Sequence, residues 1–446
     1  MTAAQLLLLR PQIAGTETPA RKGWAWRLCR ALLFCSLFCI IFLPEFSRDN
    51  GQTLSPIYSK VAAGFRFIDL VLLLLVFGHV AALGCLRGKR LRFPRTVVAP
   101  GLGFLFCIAI AVYYGHRRGG SNFFFDWRAL ALGVGLYFVW SFWLQDGFDV
   151  AAGARVFLAY MGCRIVLLYL LYVCGQGDTL AGVSIPVFDG PVLSSIVFAA
   201  LLAFESPKRT GTPGSKLLFT VLVVVSYLLV LLSLRRTYWG ELAIGTLILL
   251  SLRQRHRLRG FVLAAVAVVV AAGVLGSSFS GRLLSLDVTR DDTQFSADNA
   301  DHVHDLMDAW YEVHRSPIMG IGVGTTYPTW QIRNWKLDSV MVHNAPLHVW
   351  LKYGIAGLAC YLWFHLALLK WLLRNSRSAA SDNRVFLRAA FAYLTAQFVM
   401  TLGFAPWPYS ELQLTTLMSF ILAAAVAAEN RPVRIAARSY IPVTSA

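Results

Sequence analysis

The chain has 446 residues, 57% of them hydrophobic and only 14% charged, with a mean hydropathy of +0.60, which places it among polytopic membrane proteins. The net charge of +18 would suggest nucleic acid in a soluble protein. Here the basic residues gather in short loops beside apolar runs, without aromatic interleaving, so membrane orientation and anionic headgroups account for them and no nucleic-acid partner is expected.

Uncharged runs such as Leu217–Leu234 and Phe261–Phe279 approach the roughly 20 residues that cross about 30 Å of hydrocarbon. Counting such runs predicts about twelve spans, near residues 28–44, 65–86, 96–114, 129–145, 154–174, 190–204, 217–234, 238–252, 261–279, 346–370, 388–404 and 411–428. With the basic N-terminal tail (Arg10, Arg21, Lys22, Arg27, Arg30) in the cytoplasm, the loops that must share that side include Arg87–Arg95, Lys208–Lys216, Arg253–Arg259, Lys370–Arg388 and the tail after Glu429. These hold the dense Lys/Arg clusters, so both termini are expected inside. No repeat or Gly/Ser-rich linker divides the chain, and residues 1–446 read as a single membrane domain. Its first apolar run lacks a small-residue processing site and reads as a retained helix.

Arg66 and Asp69 open the second span three residues apart and can satisfy each other within one helix. The next outer segment carries His116, Arg117, Arg118 and Arg128, which could lend positive potential to a charged entrance. All eight cysteines fall in or beside predicted spans without paired CxxC spacing, so they read as small buried side chains and not as a disulfide framework or metal site. Between the seventh and eighth spans lies Ser233-Leu234-Arg235-Arg236-Thr237. That turn is too short for much else, and two adjacent arginines on the outer face run against the positive-inside bias, which points to an anionic ligand.

Residues 277–345 interrupt the hydrophobic chain between predicted spans nine and ten and read as a large periplasmic loop. Inside it, Val303, Leu306, Trp310 and Val313 recur at helical spacing after a possible Asp301 cap, predicting an amphipathic helix along the membrane face. Arg315-Ser316-Pro317 ends that helix, and Gly320, Gly322 and Gly324 then permit a tight path. The loop closes on His343-Asn344-Ala345-Pro346-Leu347, where an apolar helix starts. Trp330, Trp335, Trp407 and Tyr409 in outer segments suit sugar stacking and interface anchoring equally. His302, His304 and His314 are too loosely spaced, without a cysteine, to make a zinc site.

An outer-loop helix, a Pro-x-x-Gly-x-Gly turn (Pro317 to Gly322), a His-Asn-x-x-Leu helix start and a following Gly354-x-x-Gly357 together resemble the O-antigen ligase and Wzy-type polymerase family, most clearly over residues 230–370. The resemblance implies an all-α, polytopic membrane glycosyltransferase that uses an undecaprenyl-diphosphate-linked oligosaccharide donor at the periplasmic face of the bacterial inner membrane. It also implies no nucleotide cofactor and no metal. The acceptor would be a glycan or a lipid A-core.

On that reading Arg236, with Arg235 as its neighbour and possible substitute, holds the donor diphosphate, and His343 takes the proton of the acceptor hydroxyl. Asn344 orients the imidazole or caps the helix. The family carries a further arginine near the start of the outer helix; here His302 holds that position, and either His302, His304 or Arg315 replaces its phosphate contact or the sugar is bound in a different mode. This departure favours the polymerase over the ligase. A twelve-span secondary transporter and a non-catalytic component of polysaccharide export are the alternatives. A transporter calls for two similar halves and broken helices at the midplane, whereas the candidate residues lie at the outer boundary.

Overall fold

A computed structural model describes residues 31–38, 60–62, 65–85, 93–120, 123–144, 147–175, 178–180, 183–186, 190–206, 213–252, 296–331, 335–339, 342–378, 381–402 and 412–429. The predicted span 261–279, the basic segments at both termini and at 253–259, and residues Trp407 and Tyr409 lie outside them. Residues 31–38 are helical. Eleven longer helices follow: α1 (Phe67–Cys85), α2 (Arg95–Arg117), α3 (Phe123–Trp143), α4 (Gly147–Val173), α5 (Gly190–Glu205), α6 (Pro213–Leu232), α7 (Arg236–Leu252), α8 (Ser296–Arg315), α9 (Ala345–Ser378), α10 (Ser381–Thr401) and α11 (Leu412–Glu429).

The protein is mostly helical, and each predicted span that falls on described residues is a helix. Among those residues, four helices have both the length and the apolarity to cross a membrane: Arg95–Arg117, Asp149–Val173, Ala345–Arg377 and Leu412–Glu429. Helices α5 and α11 are buried almost all round, while α1 presents Leu74 and Phe77 outward, as lipid-facing positions should. Small residues let the helices close in. A Cβ on Gly133 of α3 would lie 2.0 Å from Thr415 Cγ2 of α11, and Ser419 Oγ donates to the Gly133 carbonyl at 2.6 Å.

The structure also contains three short antiparallel hairpins, a departure from the purely helical expectation: β1 (Lys60–Ala62) with β2 (Phe65–Arg66), β3 (Asp178–Leu180) with β4 (Val183–Ile185), and β5 (Tyr327–Gln331) with β6 (Trp335–Ser339). The last belongs to the polar insertion, with Tyr327 opposite Ser339 and Gln331 opposite Trp335. Tyr327 and Thr329 are buried and Pro328 between them is exposed, the two-residue period of a half-buried strand.

Asp69 pairs across helices with Arg128 of α3, Nη1 to Oδ2 at 3.5 Å, because α1 turns its first acidic residue into the bundle, while the Arg66 side chain of the expected intrahelical pair lies outside what the structure describes. That pairing also removes Arg128 from the outer basic set. Helix α8 begins at Ser296, so Asp301 lies within it and is not its cap. Its packed face is Asp305, Ala309 and Val313, whereas Val303 is 37% and Trp310 49% exposed. Of the expected stripe, Val313 is buried and Leu306 packs against the same cluster, but apolarity alone left out Asp305, since a carboxylate with internal partners can occupy a buried helical position.

Candidate functional site

The site is organised by a break in α9. At Gly354 the backbone has φ 72° and ψ −176°, a conformation essentially confined to glycine, so the helix is two segments joined at a bend. The break exposes carbonyls, and the glycine segment 317–324 satisfies them. Ile321 N donates to Leu351 O at 2.7 Å, Gly322 N to Lys352 O at 3.2 Å, and Ile355 N to Pro317 O at 3.1 Å. A Cβ on Gly354 would lie 1.9 Å from the Ile318 carbonyl oxygen. The two glycine motifs are therefore halves of one device, since irregular backbone in an apolar setting persists only where protein satisfies its polar groups. Val323 N donates to Ala111 O of α2 at 3.0 Å, which fixes the segment to a second helix.

The first segment of α9 starts with a capped turn. Asn344 Oδ1 accepts from Leu347 N at 2.9 Å, as an N-cap should, and Asn344 Nδ2 donates to Leu402 O at the end of α10 at 2.8 Å. Asn344 thus acts as a cap and a tie between helices.

His343, immediately before the cap, meets Asp305 of α8. Its backbone N–H donates to Asp305 Oδ2 at 3.1 Å, and Nδ1 lies 3.1 Å from the same oxygen. Tyr327 of β5 donates its hydroxyl to Asp305 Oδ1. Burial pushes the Asp305 carboxyl up, but the hydrogen bonds from His343 and Tyr327 outweigh it and hold the carboxyl below its ordinary value. An ionised carboxylate only accepts, so Nδ1 of His343 faces it as the donor, an arrangement that in the neutral ring leaves the lone pair on Nε2. Asp305 is 3% exposed and the His343 side chain 38%. A buried carboxylate thus lies behind an accessible imidazole.

Behind the pair, Val342 N donates to His348 Nδ1 at 3.4 Å, and the fully buried Lys352 donates Nζ to the Thr325 carbonyl, tying the first segment of α9 to the loop before β5.

The arginine turn is built as tightly as its length requires. Helix α6 stops at Leu232, Leu234 takes φ 56°, and α7 starts at Arg236. The Arg235 carbonyl accepts from Tyr238 N at 3.1 Å and Trp239 N at 3.2 Å, so Arg235 stands at the N-cap of α7. Trp239 Nε1 donates back to Val230 O at 3.0 Å and Leu231 O at 3.2 Å, satisfying the last carbonyls of α6. Both arginines are half-buried.

The arginine turn and the histidine lie at one end of the helix bundle. A Cβ on Gly240, one turn beyond Arg236, would come 2.6 Å from Met400 Sδ near the end of α10, and Asn344 binds Leu402 of that same end. Arg315 stands apart. It is exposed, pairs with Glu312 at 2.8 Å and lies over the Tyr311 ring at 4.5 Å. Ten residues along α8 separate it from Asp305, or about 15 Å of rise. His302 belongs to α8, but its side chain lies outside what the structure describes.

Sequence reasoning missed Asp305. Its signal was present as an acidic residue on the helical face of Ala309 and Val313, four and eight residues on. Comparison with curated proteins gives no match. The family model described as O-antigen ligase matches residues 220–362, an interval that contains the arginine turn, α8, the glycine segment, the His343–Asp305 pair and the break in α9. Over that interval the chain is similar to the O-antigen ligase family, in the region that holds the site described above.

Proposed function

We propose that the protein is a twelve-span inner-membrane glycosyltransferase whose site faces the periplasm and which transfers or polymerises glycans carried on undecaprenyl diphosphate. Arg236, helped by Arg235, holds the donor diphosphate at headgroup depth. His343 Nε2 takes the proton of an acceptor hydroxyl while Asp305 accepts from Nδ1 and steadies the imidazolium that forms. The acceptor oxygen attacks the anomeric carbon from the face opposite the diphosphate. The bond from that carbon to the diphosphate oxygen breaks, its electron pair leaves with polyprenyl diphosphate, and the anomeric configuration inverts.

The observation that carries this reading is the His343–Asp305 pair, accessible on its histidine side and placed at the same end of the bundle as the arginine turn.

The test is glycan transfer by the purified protein, in detergent containing a chelator, from a synthetic polyprenyl-diphosphate glycan. Transfer survives chelation in the wild type and vanishes in His343→Ala and Arg236→Ala. Transfer by both variants at the wild-type rate, or uptake of a solute into vesicles without any glycan product, refutes the assignment.

A further inference from the structure

Small residues draw the helices together in pairs. Gly133 of α3 meets Thr415 of α11, and Gly103 of α2 meets Cys360 of α9, where an added Cβ would lie 3.2 Å from the sulfur. Between the α2/α9 pair and the α3/α11 pair runs a groove of about 420 Å³. Its walls include Leu102 of α2, Val134 of α3, Phe364 and Leu368 of α9, and Met418 and Leu422 of α11. Phe93, just before α2, stacks on Tyr137 of α3 with ring centroids 5.0 Å apart, so one wall of the groove is bridged.

The lining offers little to a polar ligand. The Ser419 hydroxyl is held between the Gly133 and Thr415 carbonyls, and the Trp371 indole donates to Glu429 of α11 at 3.3 Å. Such a surface accepts hydrocarbon, because an unfilled groove leaves its walls without dispersion partners.

One end of the groove is basic. Arg95 and Lys370 adjoin the lining residues Pro94 and Trp371 in sequence, and both are exposed. Among the described residues neither pairs with a carboxylate. This end is remote from the candidate site, since α2 rises about 24 Å from Arg95 to Ala111, whose carbonyl holds Val323 of the glycine segment. A chain whose anionic head lies here is therefore not the donor, whose diphosphate is assigned to Arg235 and Arg236 at the other end. Basic residues at the mouth of an apolar groove between membrane helices suit the phosphate of an anionic lipid.

We propose that this groove binds one acyl chain of an anionic phospholipid, with its phosphate beside Arg95 and Lys370 in the leaflet opposite His343. The lipid wedges the two helix pairs against each other. The site stands whether or not His343 catalyses glycan transfer; only the exclusion of the donor's own tail leans on that reading.

The experiment is native mass spectrometry of the full-length protein in detergent. The probes are phosphatidylglycerol, phosphatidylcholine with the same chains, and polyprenyl diphosphate. The proteins are wild type, R95Q/K370Q, V134W and, as a control at an exposed position outside the groove, L74W. The wild type holds one phosphatidylglycerol about tenfold more tightly than phosphatidylcholine, and R95Q/K370Q binds the two equally. V134W fills the groove and loses the tight lipid, while L74W keeps it. Phosphatidylglycerol carrying a diazirine in its acyl chain labels Leu102, Phe364 or Met418 in the wild type, which tests the groove even if V134W fails to fold.

Equal affinity of the wild type for both phospholipids overturns the proposal, as does a tight lipid retained in V134W or labelling confined to other surfaces. One-for-one displacement of phosphatidylglycerol by polyprenyl diphosphate does so too, because it would give the groove to the donor's tail.

Discussion

Glu241 and Asp305, two of the five buried carboxylates among the described residues, differ in their surroundings in a way that separates structure from chemistry. Glu241 of α7 is 2% exposed and accepts from Ser194 Oγ of α5 at 2.9 and 3.2 Å, with Tyr393 of α10 2.9 Å from the same hydroxyl. Every partner is buried, so the network closes on itself and fastens three helices together. Asp305 is 3% exposed, but its partner His343 reaches the surface. Burial of an acid is therefore not what marks the site. What sets the candidate site apart is that its buried acid is bonded to an accessible imidazole.

The sharpest break of that comparison is to neutralise each acid in turn. Asp305→Asn leaves a side chain of the same shape that no longer steadies the imidazolium, and transfer falls by about 10²–10³-fold. Glu241→Gln keeps transfer within about threefold, because a neutral amide can still accept from Ser194. Equal losses in the transfer assay would show that the two networks do the same job.

The next largest effect falls on the break itself. Gly354→Ala places a side chain at φ 72° with its Cβ 1.9 Å from a carbonyl oxygen, and costs at least 1–3 kcal/mol, roughly, in backbone strain alone. The thermal midpoint in detergent drops, and the glycine segment loses protection from hydrogen exchange. Gly78→Ala, where nothing lies within 4 Å of the added Cβ, serves as the neutral control.

A pH series then isolates Asp305. Its carboxyl is lowered in the folded protein, so the stability it contributes is complete above the unfolded value of about 4 and is lost as pH falls through the folded value. The gap in thermal midpoint between wild type and Asp305→Asn accordingly narrows from about pH 5 downward. A gap that widens on acidification contradicts the assigned ion pair. The smallest effect is that of Asn344→Ala, which removes a helix cap and costs about 1 kcal/mol. Asn344→Asp keeps the cap but not the donor to Leu402, and the two variants together apportion its two contacts.

Much of the architecture was legible in the sequence because hydrophobicity is carried residue by residue. The helices stand where the apolar runs predict them, and the region read as resembling the family, 230–370, overlaps the matched interval 220–362. The arginine turn was readable for the same reason, since two apolar runs separated by so few residues leave only a tight connection. The buried face of α8 was not. Val303 and Trp310 carry the apolar signal, but Asp305 is the residue turned inward, and its burial depends on Tyr327 and His343, which lie 22 and 38 residues further along the chain.

The amino-acid order alone settled the solvent this protein lives in, which segments are helical, and the presence of paired arginines and a histidine at helix ends. The folded chain decided which acid meets that histidine, that the two glycine motifs complete one another across the break in α9, and that Arg128 pairs with Asp69 across two helices. The reason is one of range. Partition between water and lipid is a sum over neighbouring residues, whereas a hydrogen bond to a broken helix or a buried carboxylate requires two distant backbone paths to arrive within about 3 Å of each other, and nothing in a local window encodes that meeting.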